Sequence, residues 1–179
     1  MKLTETPVMT ADLIAFASLV ILVSGLGALA WIDFKTGYLP DTLQIALALG
    51  AVATLTLGSP VGIGWIDAAL GVFINAIIFW CLRWIVTKAK GQEAMGLGDV
   101  KLAAVGGLWL GPWALPYIML LSALLTLMGL GIVSLIYRKA LWKREIPLGP
   151  GLAAGIVVSY CAALWGMPGI VGPFMFNPN

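Results

Sequence analysis

Two aspartates stand at places in this sequence where a carboxylate is costly. Asp33 closes a long apolar stretch, and Asp99 follows Gly96 and Gly98 at the start of a shorter one. Acids beside membrane-like segments are candidates for function by default. Two carboxylates brought together in an apolar site cannot both ionise easily, so one keeps a proton. Such a pair can activate water and protonate an amide nitrogen, which is the chemistry of an aspartic protease.

Each aspartate also has a structural interpretation. Asp99 could instead be an N-cap of the helix that follows it, and Asp33 could instead be a loop residue paired with Lys35. Asp41 and Asp67 also stand at predicted helix starts, and we interpret both as N-terminal capping residues. Chemistry is favoured for Asp33 and Asp99 because both are predicted at the same shallow depth on one side of a membrane.

Composition restricts the other chemistry available to the chain. Of its 179 residues, 61% are hydrophobic and 10% charged, with a mean hydropathy of +1.02, which indicates a polytopic membrane protein. There is no histidine, so Ser-His and Cys-His nucleophiles and most zinc sites are excluded. Cys81 and Cys161 are far apart and are predicted to be small buried packing residues. We expect no metal, no cofactor and no nucleic acid partner.

Six apolar segments predict an all-α fold with six transmembrane helices in one membrane-embedded domain, residues 1–179. A bilayer core of about 30 Å needs about 20 helical residues. The fourth segment is short and covers about half a bilayer, which would place Asp99 below the cytosolic face. The predicted spans are 12–32, 42–57, 65–85, 100–110, 114–137 and 148–165.

Basic residues orient these predicted helices. Nine of the ten Lys and Arg residues fall in three connections, and the connections between those three have none. The positive-inside rule then places the three charged connections in the cytosol and both termini on the extracytoplasmic side. The predicted location is the inner (cytoplasmic) membrane, with the site toward the cytosol. The nine residues are Lys35, Arg83, Lys88, Lys90, Lys101, Arg138, Lys139, Lys143 and Arg144.

Three segments of the chain resemble the type IV prepilin peptidases, which are Gly-x-Gly-Asp membrane aspartyl proteases. They are residues 33–41 (DFKTGYLPD), 93–102 (EAMGLGDVKL) and 146–153 (IPLGPGLA). Their order and spacing agree with the family pattern, and so does the six-helix plan.

The resemblance implies that Asp33 and Asp99 are the catalytic dyad. We also predict substrate-binding roles for four residues near the dyad. Gly96 and Gly98 would let the substrate backbone approach, and Glu93 and Lys101 would orient the site. For Glu93 and Lys101, a role as anchors of the 83–101 connection is an equally supported alternative. The expected substrates are type IV prepilins or pseudopilins, whose short basic leaders are cut after a glycine at the cytosolic membrane face.

Larger members of the family also methylate the new N-terminus and carry paired Cys-x-x-Cys motifs. This sequence has none, so we expect peptidase activity without N-methylation. The alternatives from other classes are a small proton-coupled transporter that uses Asp33 and Asp99 as a relay, and a purely structural membrane subunit. Within a dyad, helix dipoles predict that Asp33, at a helix C-terminus, holds the proton, and that Asp99, at a helix N-terminus, is charged.

Overall fold

The computed structural model describes residues 6–91, 95–137, 148–167 and 169–171. Within these ranges the chain is all-helical, as predicted, with a short 3-10 turn at Pro112–Ala114 and no strand. The six helices are α1 (Thr6–Thr36), α2 (Asp41–Leu57), α3 (Trp65–Lys90), α4 (Leu97–Leu110), α5 (Leu115–Tyr137) and α6 (Gly149–Leu164).

Two helix boundaries differ from the sequence prediction in ways that matter for the candidate site. α1 continues to Thr36, so Asp33 lies inside its last turn. Gly37 follows with φ +65°, a left-handed conformation that commonly ends a helix. α4 begins at Leu97, so Asp99 lies inside its first turn and is not the N-cap. The 14 residues of α4 span about 21 Å, which is still short of a bilayer core.

Three of the helices are long and apolar enough to cross a membrane. These segments are Thr10–Thr36, Trp65–Lys90 and Pro112–Ile132. α2 and α6 are also apolar but are shorter. Large apolar side chains are exposed along these helices, among them Phe16, Phe73 and Leu120. An apolar outer surface of this kind suits contact with lipid. Cys81 is exposed as well and Cys161 is partly buried, so the prediction of two buried cysteines is wrong for Cys81.

The short helix α4 lies at the centre of the bundle. It packs against α2, α3 and α6, while α1 packs against α2 and α6, and α5 packs against α6. Most residues of α4 are buried, including Leu102, Trp109 and Leu110. A helix that is apolar on all sides is expected in such a position. The rest of the bundle therefore determines where the first turn of α4, with Asp99, is held.

The backbones of α3 and α4 are in direct contact. A Cβ atom on Gly71 or on Gly107 would overlap the backbone carbonyl of the other residue. One turn further along α3, the Asn75 side-chain amide donates a hydrogen bond to the carbonyl of Ala103, at 3.2 Å. Small residues and buried amides of this kind are typical of close helix contacts in membranes.

A buried polar chain connects four helices in the half of the bundle away from Asp99. The Trp109 indole N–H donates to the carbonyl of Leu47 at 3.1 Å, and the ring meets that of Tyr160 edge-on. The Tyr160 hydroxyl donates to the hydroxyl of Ser18 at 2.7 Å. The Trp109 indole N–H and the hydroxyls of Tyr160 and Ser18 thus all have partners, and these contacts fix α1, α2, α4 and α6 relative to one another.

Candidate active site

Asp99 is held by the local geometry of the α4 N-terminus. Gly96 is the N-cap, with extended backbone (φ −67°, ψ 148°), and Asp99 is the third residue of the helix. The carboxylate turns back toward the N-cap, where a Cβ atom on Gly96 would lie 3.7 Å from its Oδ2. The free N–H groups and the dipole of a helix N-terminus both favour a negative charge there. Asp99 is only 8% exposed, so it is an acid with little access to solvent.

Asp33 approaches from the C-terminal turn of α1. Its backbone carbonyl accepts a hydrogen bond from the Gly37 N–H at 2.8 Å, and the residue is 6% exposed. Lys35 places its ammonium group over the ring of Trp31, 4.5 Å from the centroid. The ion pair of Asp33 with Lys35, considered as an alternative from the sequence, is therefore not formed. Asp33 remains a buried carboxylate without a basic partner from its own turn.

The N-terminus of α6 closes the site above Asp33. The backbone of Gly149, the first residue of α6, lies directly against the Asp33 carboxylate. A Cβ atom on Gly149 would overlap that carboxylate, so only glycine allows this approach. The third sequence segment thereby acquires a physical role. Its first two residues, Ile146 and Pro147, lie outside the described residues.

The two carboxylates lie close enough for the charge of Asp33 to act on Asp99. They come from different helices and are both buried, so simultaneous ionisation is unfavourable and a shared proton is favoured. The prediction that Asp33 holds the proton rested only on its place at the C-terminus of α1. The N-terminus of α6 also faces Asp33, so both carboxylates lie at a helix N-terminus and the dipoles do not assign the proton.

The first turn of α2 packs against the turn that contains Asp99. A Cβ atom on Gly98 would lie 2.9 Å from Cβ of Leu39, so glycine is needed for this contact. The Gln44 side-chain amide donates a hydrogen bond to the carbonyl of Gly98 at 3.4 Å. The segment Leu39-Pro40 thus reaches the Gly-x-Gly-Asp turn directly. The motif at residues 33–41 was recognised in the sequence, but its contact with Gly98 was not predicted.

Asp41 does not cap α2. The N-cap is Pro40, and the Asp41 carboxylate instead binds the Lys101 ammonium, at 2.7 and 2.8 Å from its two oxygens. Proline fits the start of a helix because its fixed φ is already helical. The ion pair joins the first turns of α2 and α4 on an exposed surface, since each side chain is 53% exposed.

The other predicted site residues differ in their surroundings. Gly96 is exposed, and a Cβ atom there would meet the Asp99 carboxylate at an ordinary contact distance of 3.7 Å. Glu93 lies outside the described residues. Next to that stretch, the Arg83 side chain donates a hydrogen bond to the carbonyl of Met95 at 2.9 Å, which connects α3 to the start of the Asp99 turn.

Sequence reasoning missed three contributors to this site, namely Gln44, Arg83 and the backbone amide of Gly149. The signal for Gly149 was the Gly-Pro-Gly pattern at the start of a predicted helix, which announces an unusual backbone approach. Within the described part of the chain, no group of three or more His, Cys, Asp or Glu side chains could hold a metal ion.

Comparison with known proteins places this arrangement in context. The sequence model of the type IV leader peptidase family matches residues 20–132, which include both aspartates. A prepilin leader peptidase/N-methyltransferase of Aeromonas hydrophila is 39% identical over 140 residues, covering 78% of this chain and 46% of the relative. The protein of the same name from Burkholderia pseudomallei strain K96243 is 33% identical over 134 residues, covering 75% and 42%.

A third relative of that name, from Pectobacterium carotovorum subsp. carotovorum, is 40% identical over 139 residues, covering 75% of this chain and 47% of the relative. The chain thus spans about half the length of the curated relatives that it matches. No solved structure matches it.

Proposed function

The chain belongs to the type IV leader peptidase family, and on that premise we propose that it is a membrane aspartic endopeptidase. Its proposed substrates are type IV prepilins or pseudopilins, from which it removes a short basic leader by cutting after a glycine. The observation that carries the proposal is the pair of buried carboxylates, Asp33 and Asp99. They come from separate helices, and the charge of Asp33 acts on Asp99.

The proposed reaction uses the two carboxylates as one acid and one base. A water molecule between Asp33 and Asp99 attacks the carbonyl carbon of the scissile bond and gives up a proton to the ionised carboxylate. The protonated carboxyl donates its proton to the carbonyl oxygen, which gives a tetrahedral diol. When the diol collapses, the C–N bond breaks and a proton passes to the leaving amine nitrogen. The helix N-termini at both carboxylates stabilise the negative charge that the dyad carries.

The proposed membrane position has all six helices embedded, both termini extracytoplasmic and the dyad at the cytosolic face. Two Trp–Lys pairs support this level, Trp31 with Lys35 on α1 and Trp84 with Lys88 on α3. The ammonium groups lie 4.5 and 4.3 Å from the ring centroids. Tryptophan concentrates at membrane interfaces, and lysine extends its charge to water there. Asp33 lies between Trp31 and Lys35 in the same turns of α1, at the proposed interface.

The proposed substrate path runs over the exposed side of the α4 N-terminus. Gly96 is exposed next to Asp99 and leaves room for an extended backbone. Lys101 and Glu93 are proposed to flank that path. We further propose that the chain cleaves without methylating, because the sequence lacks the Cys-x-x-Cys pairs expected for methyl transfer. The relatives are named for both activities, and this chain spans about half of their length.

Co-expression with the pilin-like protein encoded nearest its gene tests the proposal. Loss of the leader is followed by gel shift for the wild type and for Asp33→Asn and Asp99→Asn separately. We expect complete processing by the wild type and intact precursor with either variant. Asp12→Asn is the control, because Asp12 is an exposed acid near the start of α1. Processing at the wild-type rate by either dyad variant would refute the assignment of the dyad.

The same proteins in liposomes separate the proposal from the transporter alternative. A peptidase should show no proton flux that depends on Asp33 and Asp99. Flux that is lost in both variants, together with no cleavage by the wild type, would establish a proton relay instead.

A further inference from the structure

Gln44 is a buried polar residue for which the proposed reaction has so far given no role. It lies on α2 and is 3% exposed. Its Nε2 donates to the carbonyl oxygen of Gly98, and its own Oε1 is buried without a hydrogen-bond partner among the described residues. Burying a side-chain amide with an unpaired oxygen costs free energy, so we expect a structural or catalytic role for its hydrogen bond to Gly98.

The contact of Gln44 acts on the peptide unit that carries Asp99. A peptide bond is planar, so the carbonyl of Gly98 and the N–Cα bond of Asp99 lie in one rigid plane. A carbonyl oxygen has two lone pairs, and the second remains available when the first is used within the helix. The amide of Gln44 can therefore fix this plane from outside α4. Because the carbonyl requires a donor, it also sets which end of the Gln44 amide faces it.

Two further contacts fall on either side of Asp99. Leu39, just before α2, packs against Gly98, and Asp41, the first residue of α2, binds Lys101. The start of α2 and the residue before its N-cap therefore contact the residues before and after Asp99, and Gln44 supplies the buried polar contact among the three. Rotation of the Gly98–Asp99 peptide plane would turn the carboxylate of Asp99 away from Asp33.

We propose that Gln44 is a positioning residue of the dyad, which holds the Gly98–Asp99 peptide plane so that the Asp99 carboxylate faces Asp33. This inference rests on the proposed peptidase function for its effect on rate. The hydrogen bond and its effect on the first turn of α4 do not depend on that function.

Asn75 provides a matched control. It is also a buried side-chain amide that donates to a carbonyl of α4, that of Ala103, and its Oδ1 also lacks a partner among the described residues. The contact of Asn75 is four residues beyond Asp99, inside the helix, where the peptide plane of the catalytic residue is not involved. A purely structural role for Gln44 predicts the same behaviour for both amides.

The test uses the full chain purified in detergent, with Gln44→Met, Gln44→His and Asn75→Leu. Methionine keeps the approximate size of glutamine without its N–H donor, whereas histidine keeps a donor of similar reach. Cleavage of a purified prepilin gives kcat and KM, and hydrogen exchange measured by mass spectrometry reports on residues 96–102. Size exclusion and thermal unfolding establish that each variant is folded.

We expect Gln44→Met to lower kcat by about 10- to 100-fold, as a misplaced catalytic group does, with KM unchanged and faster exchange over residues 96–102. Gln44→His should restore most of kcat. Asn75→Leu should reduce thermal stability but leave kcat and exchange at 96–102 unchanged. If Gln44→Met does not fold, Gln44→Asn takes its place, because the shorter amide stays polar but its N–H donor no longer reaches the Gly98 carbonyl, and the same loss of kcat is expected.

Three results would overturn the inference. They are an unchanged kcat in Gln44→Met, a loss of kcat no greater than that of Asn75→Leu, and exchange at 96–102 equal to the wild type. If the wild type itself cleaves no prepilin, the proposed function fails, and the exchange result alone decides whether Gln44 holds the turn.

Discussion

The N-termini of α3 and α4 begin with the same local pattern and face different surroundings. α3 begins at Gly64-Trp-Ile-Asp67 and α4 at Gly96-Leu-Gly-Asp99, each with an extended glycine as N-cap and an aspartate at the third helical position. Asp67 accepts a hydrogen bond from the Gly64 N–H at 3.4 Å. A Cβ atom on Gly64 or on Gly96 would lie 3.7 Å from Oδ2 of the aspartate three residues later. Both carboxylates therefore turn back toward their N-cap glycine, and this local position alone distinguishes neither.

The two helix ends differ in what approaches them. The second helical position is Ile66 in α3, which is 77% exposed, whereas in α4 it is Gly98, which packs against Leu39. Asp67 is half-buried, whereas Asp99 is buried and interacts electrostatically with Asp33. The comparison shows that a capping aspartate becomes a candidate catalytic acid only when other helices bring a second carboxylate to it and exclude water.

The most direct way to break the comparison is to remove the charge of each aspartate in turn. Asp99→Asn should lower the rate of leader removal by about 10²- to 10⁴-fold, the range for loss of an acid–base group. Asp67→Asn should leave the rate unchanged, because an amide oxygen still accepts the capping hydrogen bond. Initial rates with purified protein, together with thermal unfolding, measure both. Equal losses in the two variants would mean that both aspartates act only as caps.

The second prediction concerns the opposite carboxylate. Gly149→Ala places a methyl group against Asp33, and a displacement of about 1 Å should lower kcat by about 100-fold. Gly131→Ala is the control, since a Cβ atom on Gly131 in α5 has no neighbour within 4 Å. Alanine should be neutral or slightly stabilising there. The rates of the two variants are compared at equal fractions of folded protein, and full activity of Gly149→Ala would contradict the close approach of α6.

A smaller effect is expected at the two N-cap glycines. Gly64→Ala and Gly96→Ala should lose similar stability, about 0.5–1 kcal/mol, because alanine is a poorer N-cap than glycine. If the extended peptide passes over Gly96, only Gly96→Ala should also raise KM, by about 5- to 10-fold. Steady-state kinetics and unfolding of both variants measure these effects. The same KM in both would remove Gly96 from the proposed substrate path.

The smallest effect is expected for the exposed ion pair between Asp41 and Lys101 at the start of α4. Asp41→Asn should cost at most about 1 kcal/mol of stability and little activity, because exposed ion pairs contribute weakly. Added salt should reduce the difference from the wild type. Lys101→Gln provides the second arm of this test. A loss of activity larger than that of Asp41→Asn would indicate that Lys101 contacts the substrate, and equal effects would limit it to the ion pair.

The sequence predicted the elements of this site better than the contacts between them. Asp33 and Asp99 could be paired in advance because the alternating basic connections predict both at one membrane face, and the all-helical plan followed from apolar segment length. Helix ends were predicted within a few residues, since the left-handed Gly37 and the extended Gly96 set them locally. Gln44 was not foreseen, because its partner Gly98 lies 54 positions away on another helix. Likewise, the ion pair of Asp41 with Lys101 was not predicted, because Asp41 stands where a helix N-cap is expected.

The contact of Gly71 with Gly107 has a consequence for how the protein is made. α4, at 14 residues, is too short to partition into a bilayer core of about 30 Å as an independent segment. Its backbone fits directly against α3, and Asn75 adds a polar contact that is worth most away from water. We therefore expect α3 and α4 to leave the translocon together as a helical hairpin. A side chain at either glycine would then reduce the yield of inserted protein before any cleavage is measured.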